Sequence, residues 1–228
     1  MSEASAAMQE YLAEAYRLAY YQKDNPYVST SDLAEVLHVS APAVTRMVQR
    51  MKDAGFLEHE PYRGITLTAS GEREALMSIR RHRLVERFLV DVMKFGWHEV
   101  HEAADELGAN ISDKVVSRME VMSGFPRRCP HGEPIPSADG KMPRVTDFPL
   151  PHARQGSDLI VSRVNTHDAE KLQYLDSLGL KPGVRFHLLA RAPFNGPLQL
   201  KVGDQAHHIG FELAGTLRVC HEDEFELA

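Results

Sequence analysis

The chain has 228 residues, 43% hydrophobic and 25% charged, which suits a globular protein of one large domain or several small ones with separate cores. No run of 18 or more apolar residues exists to cross a membrane, and two cysteines 91 positions apart make no disulfide framework. The net charge of −6 hides an asymmetry: residues 40–90 hold nine Lys/Arg against six acids, whereas 91–126 hold three against seven, as if one part meets phosphate and the next meets cations.

In chain order, residues 5–22 carry apolar side chains at helical spacing (Met8, Leu12, Ala15, Tyr16, Ala19) and read as a first helix. Its acidic start lacks the basic end and apolar centre of an export signal, so a cytoplasmic protein is expected. Asn25-Pro26 is a turn signal, and Ser29 or Thr30 would cap a short helix, TSDLAEVL. After the turn HVS comes SAPAVTRMVQRMKDAG, with Pro42 in the first turn and Gly55 as the stop. FLEHEPYRGITLT reads as a β-hairpin around Pro61–Gly64. A long helix capped at Thr68 or Ser70 follows, then two more helices broken near Gly108, the second capped by Ser112. Residues 124–157 hold more than half of the thirteen prolines and read as a long stiff connection. Beyond it LIVSRV, VRFHLLAR, PLQLKV and GTLRVC are short strands, with the helix DAEKLQYLDSLG between the first two, as in a small SH3-like barrel. The fold class expected is mainly α with β. Residues 1–73 would form a winged helix-turn-helix domain, 74–150 a helical metal-binding and dimerisation domain with its Pro-rich linker, and 151–228 an SH3-like domain.

Helix, three-residue turn, helix and hairpin make a winged helix-turn-helix. Ser40, Ala41, Pro42, Ala43 and Thr45 would let the second helix enter a major groove, with Arg46 reaching a guanine or a phosphate. Thr30, Arg50, Tyr62 and Arg63 are placed to hold phosphates and fix register.

Downstream, HEVHEAADELGAN presents His98, His101, Glu102, Asp105 and Glu106 on one helix, as either a metal-binding or a solvated acidic face. His82 and Glu86 are i,i+4, as are His101 and Asp105. Imidazole with carboxylate suits Mn²⁺ or Fe²⁺, with Zn²⁺ competing.

Residues 8–150 resemble the metal-dependent repressors of the diphtheria toxin repressor family, through MQEYLAEAY, LHVSAPAVTRMVQRM, EPYRGITLTASG, RRHRLVERFL, VHEAADEL and CPHGEPIP. Residues 158–228 resemble that family's SH3-like domain more loosely. The resemblance implies a Mn²⁺- or Fe²⁺-dependent homodimer that binds double-stranded operator DNA before metal-uptake genes. It places His82, Glu86 and His101 on the family's ancillary metal site, completed by His167, Asp168 or Glu170, which also read as a plain helix cap and first turn. Glu10 and Asp105 fall on the primary site. There the family expects Glu-His next, and this chain has Gly108-Ala109. The resemblance offers Cys129 and His131 of CPHG as replacements, giving Glu10, Asp105, Cys129 and His131; the alternatives are a weakened site or one built around His98, Glu102 or Glu106. The thiolate would tilt affinity toward Fe²⁺ or Zn²⁺. Val100, Ala103, Ala104 and Leu107 form an apolar stripe suited to a twofold mate or to the monomer core.

No phosphate loop, nucleophile elbow or HExxH is present, so an enzyme is not expected. The rival reading is a winged-helix regulator that senses an organic ligand or stress.

Overall fold

The computed structural model describes residues 4–22, 25–108 and 111–226, and the chain divides into two compact units. The first comprises residues 1–81 with 136–142, the second 82–135 with 143–228.

In the first unit, α1 (Ala6–Tyr21) starts where the Ser5 hydroxyl accepts from the Met8 amide. Ser29, rather than Thr30, caps α2 (Thr30–Val36) by accepting from the Asp32 amide at 3.0 Å. The turn at His38 leads into α3 (Ala41–Asp53), whose Val44, Val48 and Met51 face inward onto Leu12 and Leu33. Gly55 then takes φ +80° and ends the helix. Strands β1 (Leu57–Glu60) and β2 (Gly64–Leu67) pair as a hairpin, and Ile65 also exchanges two backbone hydrogen bonds with Val28. Gly64 is required there: its φ is +119°, and a Cβ would lie 2.4 Å from the Val28 carbonyl oxygen. Thr68 caps α4 (Ala69–Asp91) through the Gly71 amide, and Gly71 lets that helix press on Phe56, whose carbonyl oxygen would lie 1.8 Å from an added Cβ.

From His82 onward, α4 belongs to the second unit with α5 (Val100–Gly108) and α6 (Asp113–Met122). Val85, Leu89, Val100, Ala104 and Met119 make one apolar cluster. The expected apolar stripe is therefore split: Val100 and Ala104 are monomer core, while Leu107 is exposed. Ser112 stands at the start of α6 without a side-chain capping bond. Ala109 lies outside the described residues, so only Gly108 of the Gly108-Ala109 pair can be placed, as the last residue of α5.

The proline-rich stretch is more than a connection. From Cys129 to Ile135 every residue but Glu133 is buried, and Arg127 to Ile135 closes a tight loop through Ile135 N to Arg127 O (2.8 Å) and Cys129 N to Glu133 O (2.9 Å). The Val164 amide donates to the His131 carbonyl at 2.9 Å, and Gly132 (φ +89°) leaves no room for a Cβ beside the Ser162 carbonyl. A loop without periodicity is thus fixed by tertiary hydrogen bonds that no local pattern announces.

The rest of this unit is a six-stranded antiparallel sheet of SH3-like character. Its strands are β3 (Phe148–Pro149), β4 (Asp158–Val164), β5 (Arg185–Arg191), β6 (Leu198–Val202), β7 (Gln205–Ile209) and β8 (Leu217–Cys220), in the spatial order β3-β8-β4-β5-β6-β7. Helix α7 (Ala169–Ser177) and the short α8 (Phe211–Thr216) complete it, around Leu159, Val161, Leu172, Leu175, Leu188 and Leu200. Strand β7 is not among the short strands that the sequence suggests. As an edge strand, QAHHI buries only Ile209 fully, so it lacks an apolar alternation to read.

Candidate metal centre and DNA-reading surface

Three segments of the second unit converge on Glu86, whose side chain is 2% exposed. One helical turn before it on α4 is His82, and from α5 comes His101. The Nε2 of His82, the Nδ1 of His101 and the Oε1 of Glu86 form a near-equilateral triangle with sides of 3.2, 3.1 and 3.2 Å. Protons from the two rings can serve the two sides that meet at Glu86, which leaves the side between the ring nitrogens without one. Ligand atoms about 2.1 Å from one ion lie about 3–3.5 Å apart, which is the spacing found.

The buried loop supplies the other side. His131 Nδ1 lies 3.6 Å from the same Glu86 oxygen, and a ligand atom each from Glu86, Cys129 and His131 lie within 4.8 Å of one another. His131 Nε2 donates to the Trp97 carbonyl at 2.7 Å, which fixes the tautomer and leaves Nδ1 with its lone pair toward Glu86. Asp105 plays a matching part behind the other two rings: its carboxylate lies 3.2 Å from His82 Nδ1 and 3.7 Å from His101 Nε2, the nitrogens turned away from Glu86. His82 and His131 therefore each have one nitrogen within hydrogen-bond reach of a partner and the other aimed at Glu86, and the outer nitrogen of His101 faces Asp105 at longer range. The loop itself is tied down by Glu133, which accepts from Arg83 at 3.2 Å and from Arg163 at 3.1 Å, while Arg163 also binds Asp147 at 2.7 Å.

The electrostatics follow from burial and neighbours. Burial opposes the charge on Glu86, yet His82 and the hydrogen bonds from His101 and His82 hold its carboxyl well below the usual range. Burial, helped by the Glu86 charge, pushes the Cys129 thiol far up, so it stays protonated unless a cation replaces the proton. Burial also lowers His131, outweighing the pull of Glu86 and leaving the ring neutral and able to ligate. Three imidazoles, a carboxylate and a thiol are a donor set that fits a divalent first-row ion.

The remaining expected ligands are placed differently. The His167 ring stacks on His101, with centroids 3.6 Å apart at 20°, on the edge of the centre. Asp168 caps α7 by accepting from the amides of Glu170 and Lys171, and Glu170 is exposed in the first turn of that helix. Glu10 is exposed on α1 of the first unit. Cys129 and His131 join Glu86, and Asp105 stands behind the His82 and His101 rings. His98, Glu102 and Glu106 belong to no such cluster among the described residues. Sequence reasoning did not find the Trp97 carbonyl, the Glu133–Arg83–Arg163 brace or the common dependence on Glu86. The only signal was the compact CPHGEP run.

The reading surface of the first unit is simpler. Ser40, Ala41, Pro42, Thr45, Arg46 and Arg50 are exposed along α3, with Ala43 and Thr30 half-buried. Ser40 makes no side-chain capping bond; Pro42 carries no amide proton, and the Ala43 amide donates to the Ser40 carbonyl at 2.9 Å. Thr45 donates its hydroxyl back to the Ala41 carbonyl at 3.0 Å. At the wing tip Tyr62 is fully exposed at φ +67°, while Arg63 lies over the Tyr27 ring and pairs with Glu60 at 2.7 Å.

Comparison with known proteins matches each part of the chain to a family domain. Residues 3–65 match the family model for the iron dependent repressor N-terminal DNA binding domain, 68–137 that for the iron dependent repressor metal binding and dimerisation domain, and 148–220 the FeoA domain. The iron-dependent repressor IdeR of Mycobacterium leprae is 32% identical over 204 residues, covering 82% of this chain and 86% of that protein. The diphtheria toxin repressor of Corynebacterium glutamicum is 28% identical over 195 residues, covering 79% and 86%. A solved manganese-dependent transcriptional repressor in complex with manganese superposes with a TM-score of 0.84 at 34% identity, covering 93% of this chain and 98% of that one. The chain belongs to the diphtheria toxin repressor family of metal-dependent, DNA-binding transcriptional regulators.

Proposed function

We propose that this regulator is a repressor of metal-uptake genes that binds double-stranded operator DNA as a homodimer when Mn²⁺ is bound, with Fe²⁺ as the alternative ion and Zn²⁺ as a competitor. The observation that carries the reading is the convergence of His82, His101, Cys129 and His131 on the buried carboxylate of Glu86. The relatives are named for both manganese and iron, and the donor set has features of each: imidazole and carboxylate suit Mn²⁺, whereas Cys129 favours the softer ions. Such a protein works in the cytoplasm, and no described helix is long and apolar enough to cross a membrane.

His82, Glu86, His101, Cys129 and His131 would hold the ion, with Asp105 orienting two of the rings and His167 stacked beside them. A bound divalent cation supplies the positive charge that this buried carboxylate and thiol otherwise lack. Without it, Glu86 relies on His82 for charge compensation, and α4, α5 and the Cys129 loop share one anchor that is only partly satisfied. Ordering that anchor biases the population toward the DNA-competent dimer. Glu10, on the first unit, remains a proposed metal ligand. The exposed apolar side chains Val115, Met122 and Phe125, on and just after α6, suit the twofold contact better than the α5 stripe.

On DNA, the start of α3 enters the major groove, with Arg46 reaching a base edge and Arg50, Thr30, Tyr62 and Arg63 on phosphates. The test is DNA affinity in chelator and after adding back Mn²⁺ or Fe²⁺, for the wild type and for His82→Ala. Gain of affinity with metal, reduced in the variant, is expected. Affinity indifferent to chelator and metal would reject the proposal in favour of an organic-ligand or stress sensor.

A further inference from the structure

We infer that Tyr27 and Glu60 hold Arg63 folded back against the base of the wing, so that this arginine reaches a DNA phosphate only by giving up an internal partner. The two residues thereby limit how tightly the head grips DNA of any sequence. This rests on the reading above that the wing meets DNA, and it adds residues that oppose that contact.

Backbone pairing brings the three side chains together. Val28 and Ile65 exchange two hydrogen bonds of 2.9 Å, which sets Tyr27 alongside the hairpin. At the tip the Arg63 amide donates to the Glu60 carbonyl at 3.1 Å, and Glu60 pairs with Gly64, so one tight turn joins Glu60 to Arg63. Each side chain then touches the other two. The Tyr27 hydroxyl donates to Glu60 Oε1 at 2.5 Å, Arg63 Nη1 donates to Glu60 Oε2 at 2.7 Å, and the Arg63 guanidinium lies 3.9 Å from the centre of the Tyr27 ring. The neighbouring Tyr62 is fully exposed, so a side chain at this tip can stand out into solvent.

Charge gives the arrangement its sign. Residues 57–67 hold two carboxylates, Glu58 and Glu60, and one guanidinium, that of Arg63. The hydrogen bond from Tyr27 keeps the Glu60 carboxyl below its ordinary range and raises the Tyr27 hydroxyl, so near neutrality the pair is a carboxylate and a neutral phenol. A carboxylate on a surface that meets phosphates repels them, and this one also offsets the arginine beside it. The clasp is weak enough to open. The Arg63 and Glu60 side chains are 61% and 45% exposed, and exposed ion pairs and ring contacts are individually small. A phosphate offers the guanidinium an alternative bidentate partner.

The test is binding of the full chain, with Mn²⁺ present, to a duplex it has selected from a random pool, followed by fluorescence anisotropy at several salt concentrations. Glu60→Gln should raise affinity about three- to tenfold and steepen the salt slope by about one, because Arg63 then neutralises a phosphate. Tyr27→Leu alters no charge and should raise affinity about two- to fivefold by removing the ring that holds the guanidinium. In an Arg63→Ala background the second gain should vanish and the first should shrink. A Glu60→Gln gain of equal size with and without Arg63 would overturn the clasp and leave plain repulsion by the carboxylate. Weaker binding in Glu60→Gln would overturn it in the other direction, making Glu60 the residue that presents Arg63 to DNA. Unchanged binding in all three single variants would overturn it together with the placement of the wing on DNA, whereas the metal dependence of the wild type, measured alongside, tests the metal reading separately.

Discussion

The DNA-reading head and the metal centre place their working residues by opposite rules. In the head, α3 turns Val44, Val48 and Met51 inward and leaves Thr45, Arg46 and Arg50 in solvent, so the core folds without the side chains proposed to meet DNA. In the centre, Glu86, Cys129 and His131 are themselves core, at 2%, 3% and 2% exposure, beside Leu84, Val85 and Leu89. The head can therefore lose its function with its fold intact. The candidate centre cannot be altered without changing the charge balance of a buried region, through which a bound ion would be coupled to structure.

The sharpest way to break that contrast is Glu86→Gln, which keeps the size and removes the shared carboxylate. Ion affinity at the cluster should fall more than about 100-fold, beyond the 10–100-fold that loss of an orienting partner brings. Metal-dependent DNA binding should go with it, measured by calorimetry and by fluorescence anisotropy on operator DNA. Metal-dependent DNA binding that survives intact would show that the cluster is not the switch. Arg46→Ala is the converse case, expected to weaken DNA binding by about 10–100-fold at a base-contacting position while leaving ion affinity unchanged. Arg50→Ala should weaken all DNA sequences alike and reduce the salt slope of binding by about one.

The same contrast explains what the sequence made legible. The helix-turn-helix was readable because its signals are local: Ser29 and Ser40 at helix starts, Pro42 in a first turn, Gly55 at a stop and Gly64 in the wing. Each acts on its own few residues, and the exposed face follows from the periodicity of the buried one. His82, Glu86 and His101 were readable in part, since i,i+4 spacing fixes the first two on one helix face. That Cys129 and His131 meet Glu86 rather than Asp105 depends on contacts across more than forty residues. It depends also on the fold of Arg127 to Ile135, where prolines and tertiary hydrogen bonds replace any period. The turn of Asp105 toward the outer nitrogens of two rings, and the Trp97 carbonyl behind His131, leave no mark on composition or spacing. Strand β7 escaped for a milder reason, being an edge strand with one fully buried side chain.

A smaller effect is expected at Asp105. If it orients His82 and His101 rather than supplying a ligand, Asp105→Asn should lower ion affinity about tenfold and leave the number of ions unchanged. Loss of an ion from the stoichiometry would instead make Asp105 a ligand.

The smallest effect, and the most specific to a core-built site, is in pH. The Cys129 thiol, raised by burial, is protonated throughout the neutral range in the metal-free protein, so an ion that binds there must displace a proton. Affinity at that position should therefore rise with pH by about tenfold per unit, and Cys129→Ser should flatten this slope between pH 6 and 8. Glu86 contributes nothing to that slope near neutrality, because it is already ionised. Its lowered pKa acts on stability instead. The contribution is present above the ordinary carboxylate range and is lost as pH falls through the depressed value, so the metal-free melting temperature should drop on acidification, and Glu86→Gln should remove part of that drop. Metal affinity followed by calorimetry in buffers of different ionisation enthalpy separates the two, since at neutral pH the thiol releases a proton on binding and Glu86 does not. A proton count that Cys129→Ser leaves unchanged would place the cysteine outside the centre and return it to the apolar core.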